Sequence, residues 1–179
     1  MPSHHAFSRI REEPVLLELY TYWEAARGAK DVPDRRDIDP IAMPRFILPH
    51  LVLTEIHDGP RLKLRLVGTE IVRQHRRDNT GRFCDEFLDG PYLEYLNSLY
   101  IELQRTRLPL FSESVFRHVD THLLASRLIL PLTLGGTDVC MALMGQTFKS
   151  SGGSPVPITV PLEARALEII NRITLDRAG

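Results

Sequence analysis

Four groups of residues in this chain have types and spacings suited to chemistry. The run "HVDTH" sets His118, Asp120 and His122 at alternate positions, so on a strand all three would share a face, as a metal site requires. No fourth ligand stands nearby, and the run joins two strand candidates, where a solvated polar turn is the simpler reading. Arg73, His75, Arg76, Arg77 and Arg82 form a basic cluster suited to a phosphorylated or acidic partner, or to a solvated helix face. No Gly-rich loop of the GxxxxGK[ST] kind accompanies that cluster. Arg127 interrupts "LLASRLILPL": a charge there either snorkels at a sheet edge, the simpler reading, or answers an anionic group in a pocket. Cys84 and Cys140 lack CxxC spacing and read as two isolated thiols, the simpler reading, or as one disulfide. No GxSxG elbow or other motif sets a nucleophile beside a base, so catalysis has no support here.

Composition narrows the classes. The chain has 179 residues, enough for one domain with a real core. Its 43% apolar and 25% charged residues are ordinary for a water-soluble domain. A formal net charge of −1 supplies no global field toward nucleic acid or an anionic membrane. The longest apolar runs, 128–137 and 139–148, are parted by Asp138 and fall short of a membrane span. The start "MPSHHAFSRIREEP" lacks the apolar centre of a signal peptide, and the expectation is a cytoplasmic protein with no membrane insertion and no nucleic-acid partner.

The elements that must position these groups follow from periodicity. "EEPVLLELYTYWEAARGAK" reads as a helix with Pro14 in its first turn, Leu16, Tyr20 and Trp23 on one stripe, and Gly28 as its stop. Residues 29–50 carry Pro33, Pro40, Pro44 and Pro49 and read as a wrapped lead, with Asp39 capping a short helix begun by Pro40. "LVLTEI" and "RLKLRLV" flank Asp58-Gly59 as a hairpin, with Leu62, Leu64 and Leu66 on one face and Arg61, Lys63 and Arg65 on the other. Gly68 ends that strand, and Thr69 reads as the cap of a helical run through about Arg76, broken by "DNTG". The clearest helix lies before Pro109, with Leu96, Leu99, Tyr100 and Leu103 at i, i+3, i+4 and i+7. Three strands follow: "LFSESVFR", "LLASRLILPLTL" and "VCMALMGQTF", the last two joined through Gly135-Gly136-Thr137-Asp138. The last strand is apolar on both faces, Val139, Met141 and Leu143 against Cys140, Ala142 and Met144, so it wants cover on both sides. "SSGGSPVP" reads as a linker to a final amphipathic helix using Leu162, Ala166, Ile169 and Ile173. Segregated strands and helices make the class α+β with an antiparallel sheet.

This order and several of its words resemble the PAS domain, and in particular the alphaproteobacterial single-PAS family once described as a domain of unknown function. The matching pieces are "YWEAARG", "VPDRRDIDPIAMPRFILPHLVLTEI", "RLKLRLVGTEIV", "NTGRFCDEFL" and "RLILPLTLGG". The resemblance implies a five-stranded antiparallel sheet with helices on one face that enclose a pocket, and an N-terminal flanking helix that covers the outer face or mediates dimers. It divides the chain into a helix and Pro-rich lead (1–50), a PAS-like core (51–149), and a linker with C-terminal helix (150–179).

The resemblance also permits tests of cofactors. In light-sensing PAS relatives an asparagine is followed directly by the flavin-reactive cysteine. Here Asn79-Thr80-Gly81-Arg82-Phe83 intervenes before Cys84, which argues against a flavin adduct. Haem-binding relatives ligate iron through a histidine on the long helix, and residues 91–108 contain none. The expectation is therefore a stand-alone, non-catalytic sensory or adaptor domain with a ligand of unknown identity. Its output would run through a signalling partner or through homodimerisation led by Leu16, Tyr20 and Trp23. Leu96, Leu99, Tyr100 and Leu103 are expected to wall an apolar pocket, with Tyr95 and Arg127 as the polar groups that orient a ligand. The rival from another class is a small α+β enzyme or carrier, metal-dependent through His118, Asp120 and His122.

Overall fold

A computed structural model describes residues 8–118, 121–151 and 166–175. Helix α1 spans Pro14–Arg27, α2 spans Thr69–His75 and α3 spans Gly90–Thr106. The strands are β1 (Leu51–His57), β2 (Arg61–Val67), β3 (Leu110–His118), β4 (Thr121–Leu132), β5 (Met141–Ser151) and β6 (Ala166–Thr174). They form an antiparallel α+β sheet of six strands in the order β2-β1-β5-β4-β3-β6.

The expected sheet had five strands and a final helix; the chain from Ala166 is instead the sixth strand. The spacing of Ala166, Ile169 and Ile173 suggested a helix, but Ile169, Ile170, Ile173 and Thr174 are β-branched and favour an extended backbone. A bulge at Ile170 of β6, opposite the Glu113–Ser114 step, lets β6 pair along β3. This covers an edge of β3 that would otherwise present unpaired backbone groups. Leu162, the remaining member of the expected helical stripe, lies outside the described residues.

Helices occupy both faces of the sheet. Helix α1 lies on the outer face, where Leu16, Leu19 and Trp23 are fully buried with Phe111, Leu128, Leu130, Met141 and Leu143. Trp23 Nε1 donates to the Pro131 carbonyl at 3.0 Å. Proline is tolerated at that point of β4 because the pairing with β3 ends at Ile129, so no ladder partner misses its N–H. Gly145 makes the close fit possible: a Cβ there would meet Leu19 Cδ2 at 2.6 Å and Leu16 Cδ2 at 3.0 Å. Met141 and Leu143 thus face α1, while Ala142 and Met144 face the opposite layer.

The lead turns through three short 3-10 segments, Arg35–Asp37, Pro40–Ala42 and Leu48–His50. As expected, the Asp39 carboxylate caps the second, accepting from Ile41 N at 2.9 Å. The lead is stitched to the end of β4 by Arg35 N donating to the Thr133 carbonyl (2.8 Å) and Thr133 N donating to the Pro33 carbonyl (3.0 Å).

On the inner face α3 packs with Leu99 and Leu103 fully buried, and α2 closes one side through Ile71. The expected strict alternation of β2 fails at its end. Thr54 pairs with Leu64 but Leu53 pairs with Leu66, so Arg65 is an extra residue. One extra residue reverses side-chain parity. Leu66 is turned out, 41% exposed, and Val67 takes its place against the inner core. Thr69 is the first helical residue of α2 rather than its cap; Gly68 holds that position. A Cβ on Gly68 would lie 2.2 Å from the Pro49 carbonyl oxygen, so the lead's passage across this turn requires glycine.

Candidate functional site

The inner layer does not close. Between α3, α2 and the sheet lies a partly enclosed cavity of about 70 Å³. A single water needs roughly 10–15 Å³ on the same measure, so a group of several heavy atoms fits. Val52, Leu62, Leu64 and Val67 line it from the first hairpin, and Ile71 and His75 from α2. Cys84, Phe87 and Leu88 line it from the turn before α3, and Tyr92, Leu96 and Tyr100 from α3 itself. Met144 and Gln146 come from β5 and Arg127 from β4, while Arg77 and Asn79 stand on the loop after α2.

Of the residues expected to wall a pocket, Leu96, Tyr100 and Arg127 line this cavity. Leu99 and Leu103 are one helical turn too deep and belong to the packed core. Tyr95 is likewise buried, and its hydroxyl bonds Ser112 Oγ at 2.6 Å. The tyrosine that meets Arg127 is Tyr92, which the sequence reading missed. Tyr92 lies one turn from Leu96 on the same face of α3, and that i, i+4 relation was the available signal.

Arg127 does not snorkel at an edge. Strand β4 is interior to the sheet, and the side chain is 1% exposed. Its Nη1 donates to Ser114 Oγ at 2.8 Å and its Nη2 to the Tyr92 hydroxyl at 3.1 Å. Both partners are neutral, and among the described residues Nε has no acceptor. Gln146 pairs across the strands with Arg127, so the two side chains share a face. Gln146 is 3% exposed, and its Nε2 is also without an acceptor among the described residues. Sequence alternation placed Arg127; Gln146 could be found only from the strand register.

Other polar groups nearby are satisfied. The Tyr100 hydroxyl bonds Thr54 Oγ1 at 3.1 Å, and complete burial raises its pKa well above the ordinary tyrosine value. Burial pushes the Cys84 thiol up to about 12, so it stays protonated near neutral pH and is a poor nucleophile. The basic cluster is largely neutralised or dispersed. Arg73 pairs with Glu70, Arg82 pairs with Glu86 at 3.2 Å, and Arg77 stands exposed beside the cavity.

In the "HVDTH" run, His122 is exposed at the start of β4. Asp120 and the His118 side chain lie outside the described residues, and no cluster of metal-ligating side chains occurs among those described. The stripe expected to lead a dimer is engaged within the chain. Leu16 and Trp23 are buried against the sheet, with Tyr20 half-buried beside Trp23 at 6.4 Å between ring centroids. No helix among the described residues is long and apolar enough to cross a membrane.

No curated protein and no solved structure gives a significant match to the chain. The family model described as "PAS domain" matches residues 11–137, well over half of the sequence, and takes in α1, the lead, α2, α3, strands β1 to β4 and the turn after β4, while β5 and β6 lie beyond it. The chain therefore belongs to the PAS domain family, a family of sensory and signalling domains.

Proposed function

We propose that this protein is a non-catalytic ligand-sensing PAS domain whose ligand sits between α3 and the inner face of the sheet. The observation that carries this reading is the cavity itself. Apolar walls with a few convergent polar groups are the usual make-up of a small-molecule site, whereas a structural module would be packed to crystal-like density. The one thiol on the wall is held protonated by burial, which gives no support to covalent chemistry there.

Output passes to a protein partner or to a second copy of the chain. Because Leu16 and Trp23 are occupied by their own sheet, a second copy docks on another surface, and the exposed Ile41 and Phe46 of the lead are available. The cavity and α1 address opposite faces of the same strands, β4 and β5, so a ligand that shifts those strands alters what the outer face presents.

Native mass spectrometry of freshly purified protein tests the ligand reading. A bound mass retained at low activation energy and lost on denaturation is expected. Leu96→Trp, which fills the cavity, should abolish it. An added mass that persists in a folded Leu96→Trp protein would place the ligand elsewhere.

A further inference from the structure

We infer that the ligand's polar end is a carboxylate, held by Arg127 and Gln146 at the floor of the inner cavity; the inference rests on the ligand-sensing reading above. Arg127 is a buried guanidinium whose hydrogen-bond acceptors among the described residues are two neutral hydroxyls. A guanidinium offers five N–H donors, and burying its charge without a counter-charge is costly. Glu113 provides a contrast in the same sheet. It is buried as deeply, on the opposite face, and takes Arg9, Ser126 and Asn171 as donors. The fold surrounds that buried charge with donors, whereas Arg127, whose side chain lines the cavity, keeps its Nε without an acceptor among the described residues.

Three further features converge. Gln146 Nε2 is a second donor without an acceptor among the described residues, set directly across from Arg127 in the β4–β5 register. Every described residue lining the cavity that can bear a charge near neutral pH is basic: Arg127 on the floor, with His75 and Arg77 on α2 and the loop after it. Among the described residues no aspartate or glutamate lines it. The remaining wall is mainly aliphatic and aromatic. A molecule complementary to this surface carries one negative charge on a planar, two-oxygen head and an apolar body. The guanidinium fork matches a carboxylate edge-on, and one positive charge balances one negative charge. A dianionic phosphate ester would bring a second charge into apolar surroundings with nothing buried to offset it.

The test uses the full chain and paired probes that differ only in charge: hexanoate against hexanamide, and phenylacetate against phenylacetamide. Isothermal titration calorimetry is expected to give at least a tenfold tighter Kd for an acid than for its amide, and Arg127→Met is expected to erase that difference while the amide still binds. In wild-type protein, the carboxyl carbon of 1-¹³C-hexanoate should report a bound acid that stays ionised to lower pH than the free acid. This measurement decides the matter even if Arg127→Met does not fold. Equal affinity of acid and amide, or a bound acid whose pKa is raised, overturns the carboxylate assignment and leaves the cavity as a neutral-ligand site. Displacement of the acids by equimolar chloride also overturns it, in favour of an inorganic anion site. Binding of no probe at millimolar concentration overturns this inference, and if freshly purified protein also carries no ligand, the sensing reading falls with it.

Discussion

The two faces of the sheet bury similar kinds of residue and treat them differently. On the outer face α1 presses Leu16, Leu19 and Trp23 onto β4 and β5, with Gly145 removing the last Cβ that would hold them apart. Glu113, a deeply buried charge of β3 there, is surrounded by donors. On the inner face α3 leaves a cavity lined by Arg127 and Gln146, each of which has a buried donor without an acceptor among the described residues. Ser112, across from Arg127, neighbours Glu113, across from Ser126, so the two buried charges lie side by side in the register on opposite surfaces. The contrast suggests a division of labour: the outer layer supplies stability, and the inner layer gives some of it up for binding.

Substitutions that separate those two roles sharpen the contrast. The largest effect is expected from Trp23→Ala, which opens the outer core and leaves the Pro131 carbonyl unpartnered. Large-to-small changes of this kind cost about 3–5 kcal/mol. Urea unfolding should show it as a fall in midpoint; a loss below about 1 kcal/mol would mean α1 is not part of the cooperative unit. Glu113→Ala should cost less, roughly 1–3 kcal/mol, because buried Ser126 and half-buried Asn171 lose their acceptor while the partly exposed Arg9 can turn to water.

Arg127→Met should stay within about 1 kcal/mol of wild type in ligand-free protein, since it removes a buried charge that has no counter-charge. If it proves as damaging as Trp23→Ala, Arg127 is structural and the contrast between the faces collapses.

The smallest effect concerns β6. Partial burial pushes the Glu102 carboxyl up, but hydrogen bonds from Thr174 (2.5 Å) and Arg172 (2.7 Å) outweigh it, so its pKa ends below the usual carboxylate value. A carboxyl lowered on folding contributes stability above its unfolded pKa and loses it as pH falls through the folded value. Hydrogen exchange in 166–174 should therefore be slow near neutral pH and accelerate selectively in acid, relative to β4, after correction for intrinsic rates. Glu102→Gln should remove that dependence.

Much of this was legible in the sequence, for local reasons. Pro14 and Gly28 bracket α1, Asp58-Gly59 turns the first hairpin, and the leucine spacing of α3 sets its buried side. The misreadings needed information that local periodicity does not carry. Ile169 and Ile173 fit a helix as well as a strand until the free edge of β3 is available to pair with them. The parity of β2 depends on Arg65 being extra, which only β1 reveals. Arg127 could be suspected because a charge broke an apolar strand. Gln146 could not, because a lone glutamine within a strand acquires meaning only opposite Arg127.

The central claim is that the inner face, and not the outer one, receives the ligand. Nuclear magnetic resonance of protein labelled on methionine methyls, arginine Nε and the tryptophan indole reads both faces in one titration. Adding hexanoate should shift the Met144 methyl and the Arg127 Nε–H while the Trp23 indole N–H keeps most of its position. Movement at Trp23 with Met144 and Arg127 unchanged would contradict the account.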